Sequence, residues 1–167
     1  IVEFDIVFKA RPQLIEDDYA IGSLYYDAKR YPEAKRIYMA VLRTRPDNAE
    51  CQERTGTIFE MEKDAKNALL YLEEAVRIDQ SRSQLKRRIG DLHLSLGNND
   101  KAIAAYEDFL VKTKDVAVAR SLLGIYRKLN RKEDVRKTLA TVTALDPRDV
   151  ENLMELGNID NSAGFPK

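Results

Sequence analysis

The chain has 167 residues, of which 28 are basic and 28 acidic, with one histidine, Cys51 as its only cysteine, seven glycines and five prolines. Zero net charge at 34% charged content excludes a strong general pull toward nucleic acid or anionic lipid, and suits a solvated helical surface laced with ion pairs. No apolar run approaches the roughly 20 residues of a membrane span, and a lone cysteine cannot close an internal disulfide, so a cytoplasmic place is expected.

The first stretch, "FDIVFKARPQ" (4–13), reads as the second helix of a hairpin whose first helix is missing, with Pro12 placed 34 residues before Pro46. The chain is therefore expected to begin inside a repeat, leaving Phe4, Val7 and Phe8 as an apolar end that seeks a partner. A helix A is predicted over 16–28, since Ile21, Leu24, Tyr25 and Ala28 recur at spacings of three and four. Tyr31-Pro32 marks a turn, and helix B follows over 32–45, closed by Pro46.

This hairpin repeats. Gly22, Gly56, Gly90 and Gly124 are spaced by 34, and Ala34, Ala68 and Ala102 follow the same step. Tyr38, Leu72 and Tyr106 come four residues after those alanines. Gly22 is expected to face Ala34 within one hairpin so that the two backbones approach closely, with Tyr38 wedged into the next repeat. The fourth hairpin departs from the pattern: Gly124 keeps the count, whereas Tyr126, Val135, Leu139 and Pro147 match only if the frame moves by one. A one-residue deletion is implied near the junction of the third and fourth repeats or inside helix A. The end, "DVENLMELGNIDNSAGFPK", reads as a last helix A around Gly157 with a polar tail, suited to cap the array.

The candidates for chemistry are few. In "LGNNDKA" (96–102), Gly97 reads as a helix end and Asp100 as the N-cap of the next helix, and the run lacks the alternating carboxylates and terminal bidentate Glu of a calcium loop. His93 falls where Tyr25 and Phe59 fall in the other hairpins, so it is expected to be a packing residue; there is no second histidine for a metal. Cys51 has no histidine at helical spacing, which argues against a nucleophile. Asp17-Asp18 and Glu73-Glu74 read as solvated faces. Lys86-Arg87-Arg88 lacks the stacking aromatics and net basic character of a nucleic-acid surface. No catalytic, cofactor-binding or metal-binding residue is expected, and none of the dinucleotide, phosphate-loop or zinc-protease motifs occurs.

The small residues at Gly22 and Ala34, the aromatic at Tyr38 and the proline at Pro46 resemble the tetratricopeptide repeat (TPR) family, as do Gly56, Ala68, Leu72 and Ala75, Gly90, Ala102 and Tyr106, and the run "LGNNDKAIAAY". The resemblance implies an all-α right-handed superhelix of antiparallel helix pairs. Its divisions would be a half-repeat at 1–14, repeats at 15–48, 49–82, 83–115 and 116–149, a capping helix at 150–163 and a tail at 164–167. It further implies a concave groove lined by helices A. Carried onto this chain, the groove positions are Tyr19, Ser23 and Tyr26 with Glu16; Glu53, Thr57 and Arg54 with Glu50 and Glu60; Arg87, Arg88, Asp91 and Leu94 with Gln84; and Lys128 with Arg120 or Ser121. The carboxylate clamp by which some TPR co-chaperones grip a chaperone C-terminus would fall on Tyr19, Ser23, Arg54, Gln84 and Arg88. Only Arg88 suits it, so no such clamp is expected.

The function implied is a non-catalytic scaffold that holds a protein or peptide in the groove and could self-assemble. In architecture it resembles the small MamA-like TPR proteins that coat a magnetosome from the cytoplasmic side through protein contacts. The alternative is a regulatory or adaptor segment of a larger enzyme or of a secretion or assembly machine. No nucleic-acid partner and no membrane span are expected.

Overall fold

The computed structural model describes residues 15–163. The half-repeat expected over 1–14, with Phe4, Val7, Phe8 and Pro12, and the tail expected over 164–167 lie outside them, as does the side chain of Glu16. Among the described residues there are nine helices and no strand: α1 Ile15–Asp27, α2 Tyr31–Thr44, α3 Ala49–Met61, α4 Ala65–Ile78, α5 Leu85–Ser95, α6 Asn99–Lys112, α7 Val116–Lys128, α8 Lys132–Leu145 and α9 Val150–Ala163. The fold is all-α and built from antiparallel helix pairs. None of these helices is long and apolar enough to cross a membrane.

The chain divides into two compact units, one ending at Arg82 and one starting at Ser83. In the first, α1 pairs with α2 and α3 with α4, while α2 also packs on α3. Its core joins Ala34, Ile37, Tyr38, Val41, Cys51 and Ile58. In the second, α5 pairs with α6 and α7 with α8, and α9 packs on α8. Its core runs from Ala102 and Tyr106 through Leu122, Leu123 and Tyr126 to Leu139 and Val142.

Each hairpin turn is closed the same way. The residue two places before helix B has a left-handed backbone: φ is 59° at Lys29, 61° at Lys63, 75° at Gly97 and 55° at Asn130. Its N–H and the next bond back to helix A, as in Lys29 N to Tyr26 O (2.9 Å) and Arg30 N to Tyr25 O (2.8 Å). Only Gly97 adopts this conformation without steric cost, so the same turn is announced by glycine once and hidden behind lysine or asparagine three times. Helix ends are likewise closed by varied means. Pro46 follows α2, but after α4 the Asp79 carboxylate accepts bonds from Ser81 N (3.0 Å) and Oγ (2.6 Å) and turns the chain without proline.

Three expectations are corrected. Helices α1 and α2 both begin one residue earlier than the sequence suggested, with Tyr31 and Pro32 forming the first turn of α2, where proline's missing N–H costs nothing. Asp100 is not an N-cap: α6 begins at Asn99, and Asp100 sits in its first turn, where its charge opposes the helix dipole favourably. The glycines do not chiefly make room for alanine either. A Cβ on Gly22 would stand 2.7 Å from Tyr38 Cε1, and one on Gly56 2.8 Å from Leu72 Cγ, so in each case the ring or branched side chain of the same hairpin occupies the space.

The helix bounds also locate the missing residue. Helices α2, α4 and α6 are in step at 34, and α6 ends in phase at Lys112, whereas α7 already begins one residue early. The three residues 113–115 thus stand where 45–48 supplied four. Asp115 caps α7 as Asn48 caps α3, its carboxylate accepting from Ala117 N (2.9 Å) and Val118 N (3.1 Å). Leu123, not Gly124, therefore occupies the buried glycine position, at 2% exposure. Gly124 is exposed, and a Cβ there would meet nothing within 4 Å.

Candidate functional site

Helix-A side chains are the surface on which a partner was expected, and the two units present different ones. In the first unit, Tyr19, Ser23 and Tyr26 lie at i, i+4 and i+7 on α1, and Glu50, Glu53, Thr57 and Glu60 share one face of α3. Arg54 joins the two helices. Its Nη2 and Nε bond Glu50 Oε1 at 3.0 and 3.2 Å, and its guanidinium stands 5.1 Å from the Tyr26 ring centre and 6.0 Å from that of Tyr19. Its Nη1 reaches the Tyr38 hydroxyl at 3.4 Å. Burial, and then a hydrogen bond to Glu50, push the Tyr19 hydroxyl up to about 12, while that bond and Arg54 hold Glu50 below the usual carboxylate range.

In the second unit, Arg87 bonds Asp115 at 3.2 Å and Asp91 accepts from the Tyr106 hydroxyl at 2.6 Å. Leu94 is 37% exposed. Lys86, the first of the basic triplet, bonds Asp108 at 2.8 Å. The shift of α7 puts Arg120 rather than Ser121 in line with Glu53 and Arg87, places Arg127 in line with Tyr26 and Leu94, and moves Lys128 to the margin. The sequence alone leaves open whether the deletion falls at the repeat junction or inside helix A; the cap at Asp115, one residue early, places it before α7 and brings Arg127 into that register.

A tie recurs at this level. Glu53 pairs with Arg82, Arg87 with Asp115, and Arg120 with Asp149 (2.8 Å), each linking a helix A to the segment that follows its helix B. The first pair reverses the charges of the other two. Such partly exposed pairs contribute about 0–1 kcal/mol each, so they add little to the stability of the fold. Arg54 and Arg87 are consequently joined to their own framework as well as facing outward.

His93 is packed at 4% exposure, as Tyr126 is at 2% in the shifted frame. Cys51 is fully buried, and desolvation pushes its thiol up to about 12. Because the unfolded thiol titrates near 9, the unfolded chain releases a proton that the folded one keeps, and this term lowers stability as pH rises from 9 toward 12. Iodoacetamide at pH 8 is expected to alkylate native Cys51 at least about a hundredfold more slowly than in urea, as followed by mass spectrometry; equal rates would place the thiol at the surface.

Two family models, both described as tetratricopeptide repeat, match residues 19–83 and 88–110. The chain belongs to the tetratricopeptide repeat family. Its TPR hairpins resemble part of anaphase-promoting complex subunit 3 of Schizosaccharomyces pombe, at 25% identity over 144 residues, covering 85% of this chain and 22% of that protein. DnaJ homolog subfamily C member 7 of Mus musculus is 33% identical over 117 residues, covering 64% of this chain and 23% of the other. The chain thus spans less than a quarter of the length of these curated TPR relatives. Among solved structures, a crystal structure of MamA aligns with TM-score 0.69 at 16% identity, covering 92% of this chain and 85% of that one. YrrB, described as a TPR protein with an unusual peptide-binding site, aligns with TM-score 0.64 at 20% identity, covering 83% and 72%. At these identities the structural likeness establishes the TPR fold alone.

Proposed function

We propose that this chain is a non-catalytic protein-interaction scaffold whose helix-A faces hold a partner protein or peptide. The observation that supports it is the TPR hairpin array itself: helices B carry Tyr38, Leu72, Tyr106 and Leu139 fully buried, while helices A keep Tyr19, Tyr26, Leu94 and a dense set of charges at least partly exposed. Apolar anchors set among charges give a face both area and direction for an incoming segment. The peptide-binding site named for YrrB is in keeping with this use of the fold.

The test is affinity capture from native lysate with mass spectrometry, comparing the chain with the triple variant Asp27→Lys/Leu94→Glu/Lys128→Glu. These three side chains are exposed and lie outside the core, so the helical circular dichroism should stay unchanged. Loss of the captured proteins with the variant is the expected result; retention of all of them would overturn the reading.

Two finer forms rest on the same base. A self-assembling, MamA-like scaffold at the cytoplasmic side of a membrane organelle draws support from the fold likeness alone, and capture of nothing but the chain itself would favour it. An adaptor segment within a larger assembly is favoured by the likeness to anaphase-promoting complex subunit 3, of which the matched region is a small part.

A further inference from the structure

We propose that the open face of α9 seats residues 4–12 of a second copy of this chain, so that copies join head to tail. This gives the self-assembling form of the scaffold a contact, and it rests on that reading. The hairpin before it defines the face. Helix α9 begins 34 residues after α7, so Leu153 and Gly157 stand where α7 carries Ala119 and Leu123. Both of those are buried, in the core they share with Leu139 of α8. By contrast, Leu153 is 42% and Met154 65% exposed. Gly157 is exposed as well, and a Cβ on it would meet nothing within 4 Å. Val150, Leu153, Met154, Gly157 and Asn161 fall on one side of α9 at helical spacing, and none is charged. Glu155 and Asp160 of the same helix pair instead with Arg127 of α7 and Arg136 of α8, on the side turned to its own unit.

What covers such a face is shown by the earlier hairpins. Tyr38 lies over Gly22, Leu72 over Gly56 and Tyr106 over Gly90, each from the helix B that follows. The sequence holds one more helix-B pattern, outside the described residues. Counted back by 34, Phe4 takes the rank of Tyr38, Val7 that of Val41 and Pro12 that of Pro46. A helix B packs on two helices A, its own and the next, as α2 does on α1 and α3. Helix α1 keeps a face for the segment as the next helix A. Leu24 has the rank of Ile58, which is fully buried in the core with α2, yet Leu24 is 69% exposed and lines a hollow with Ile21, Tyr25 and Ala28. The other side of the segment fits α9 of another copy, with Phe4 over Gly157 as Tyr38 is over Gly22. The contact is heterologous: each copy offers one segment and one seat, so association runs past a dimer.

The experiment is sedimentation velocity of the whole chain between about 5 and about 500 μM, with two variants run alone and mixed. Gly157→Gln fills the seat; with nothing near its Cβ position, it should leave the helical circular dichroism unchanged. Phe4→Asp disables the segment. The chain itself should grow in mass with concentration, and each variant should associate at least about tenfold more weakly. An equimolar mixture should form a 1:1 dimer that neither variant forms alone, because the intact seat of Phe4→Asp receives the intact segment of Gly157→Gln. A mixture no larger than its components, or association indifferent to Gly157→Gln at unchanged circular dichroism, would each overturn the inference. If the chain itself still associates in either case, the self-assembling form stands and only this contact is wrong. A chain that is monomeric at every concentration removes both.

Discussion

Replacing Gly90 by valine is expected to cost about 2–3 kcal/mol, lowering the melting temperature by roughly 4–12 °C. A Cβ at this position would lie 2.5 Å from Tyr106 Cδ1 and 3.0 Å from Cζ, well inside ordinary contact. The ring has nowhere to retreat: Tyr106 is fully buried, and its hydroxyl donates to Asp91 at 2.6 Å. Helix α5 would have to move away from α6, opening the hairpin that glycine allows to close. Gly124 is the control, although the repeat count gives it the same rank as Gly90. With nothing within 4 Å of its Cβ position, Gly124→Ala should stabilise by about 0.5–1 kcal/mol through the lower backbone entropy of alanine. Thermal and urea unfolding followed by circular dichroism would read both. Destabilisation by Gly124→Ala comparable to that at Gly90 would show that α7 is in the unshifted frame after all.

The second large effect lies in the fourth hairpin, where the pairing of small and large residues is replaced by two leucines. Leu123 is 2% and Leu139 0% exposed, and they stand where Gly90 and Tyr106 stand one hairpin earlier. Leu123→Gly should cost about 3–5 kcal/mol, since it empties a filled site and adds glycine's helix penalty. Leu139→Tyr alone should cost about 1–3 kcal/mol by overpacking against Leu123. Combined, they rebuild the arrangement of the earlier hairpins, so the double variant should be more stable than the sum of the two losses by at least about 2 kcal/mol. Strict additivity in a double-mutant cycle would mean that the two positions do not share one packing site.

Much of the fold was legible because its signals are local or strictly periodic. A step of 34 residues in small, aromatic and proline positions is visible without any structure, and it fixed the family, the helix-pair plan and the phase of three hairpins. Apolar spacing of three and four located α1, and Pro32 and Pro46 located α2, each to within a residue. The turns were less legible, since the left-handed residue that closes each hairpin is glycine only at Gly97, and Lys29, Lys63 and Asn130 tolerate the strain because two backbone hydrogen bonds hold them there.

The candidate faces divide in the same way. The resemblance to TPR repeats singled out Tyr19, Ser23, Tyr26, Glu53, Thr57 and Arg87 on helices A, because each such position recurs with the 34-residue count. Register could not show that Arg54 spans from α3 to the tyrosines of α1, nor that Arg87 is tied to Asp115, because those are meetings between helices.

The sequence by itself determined the repeating hairpin, its period and its family, all consequences of short-range periodicity along one chain. Only the tertiary structure decided which glycine is packed, where the missing residue was removed, and which charges pair between helices. Each of those depends on what a side chain meets across the gap to the neighbouring helix. Gly90 and Gly124 hold the same rank in the count, yet one lies under a tyrosine ring and the other under open space.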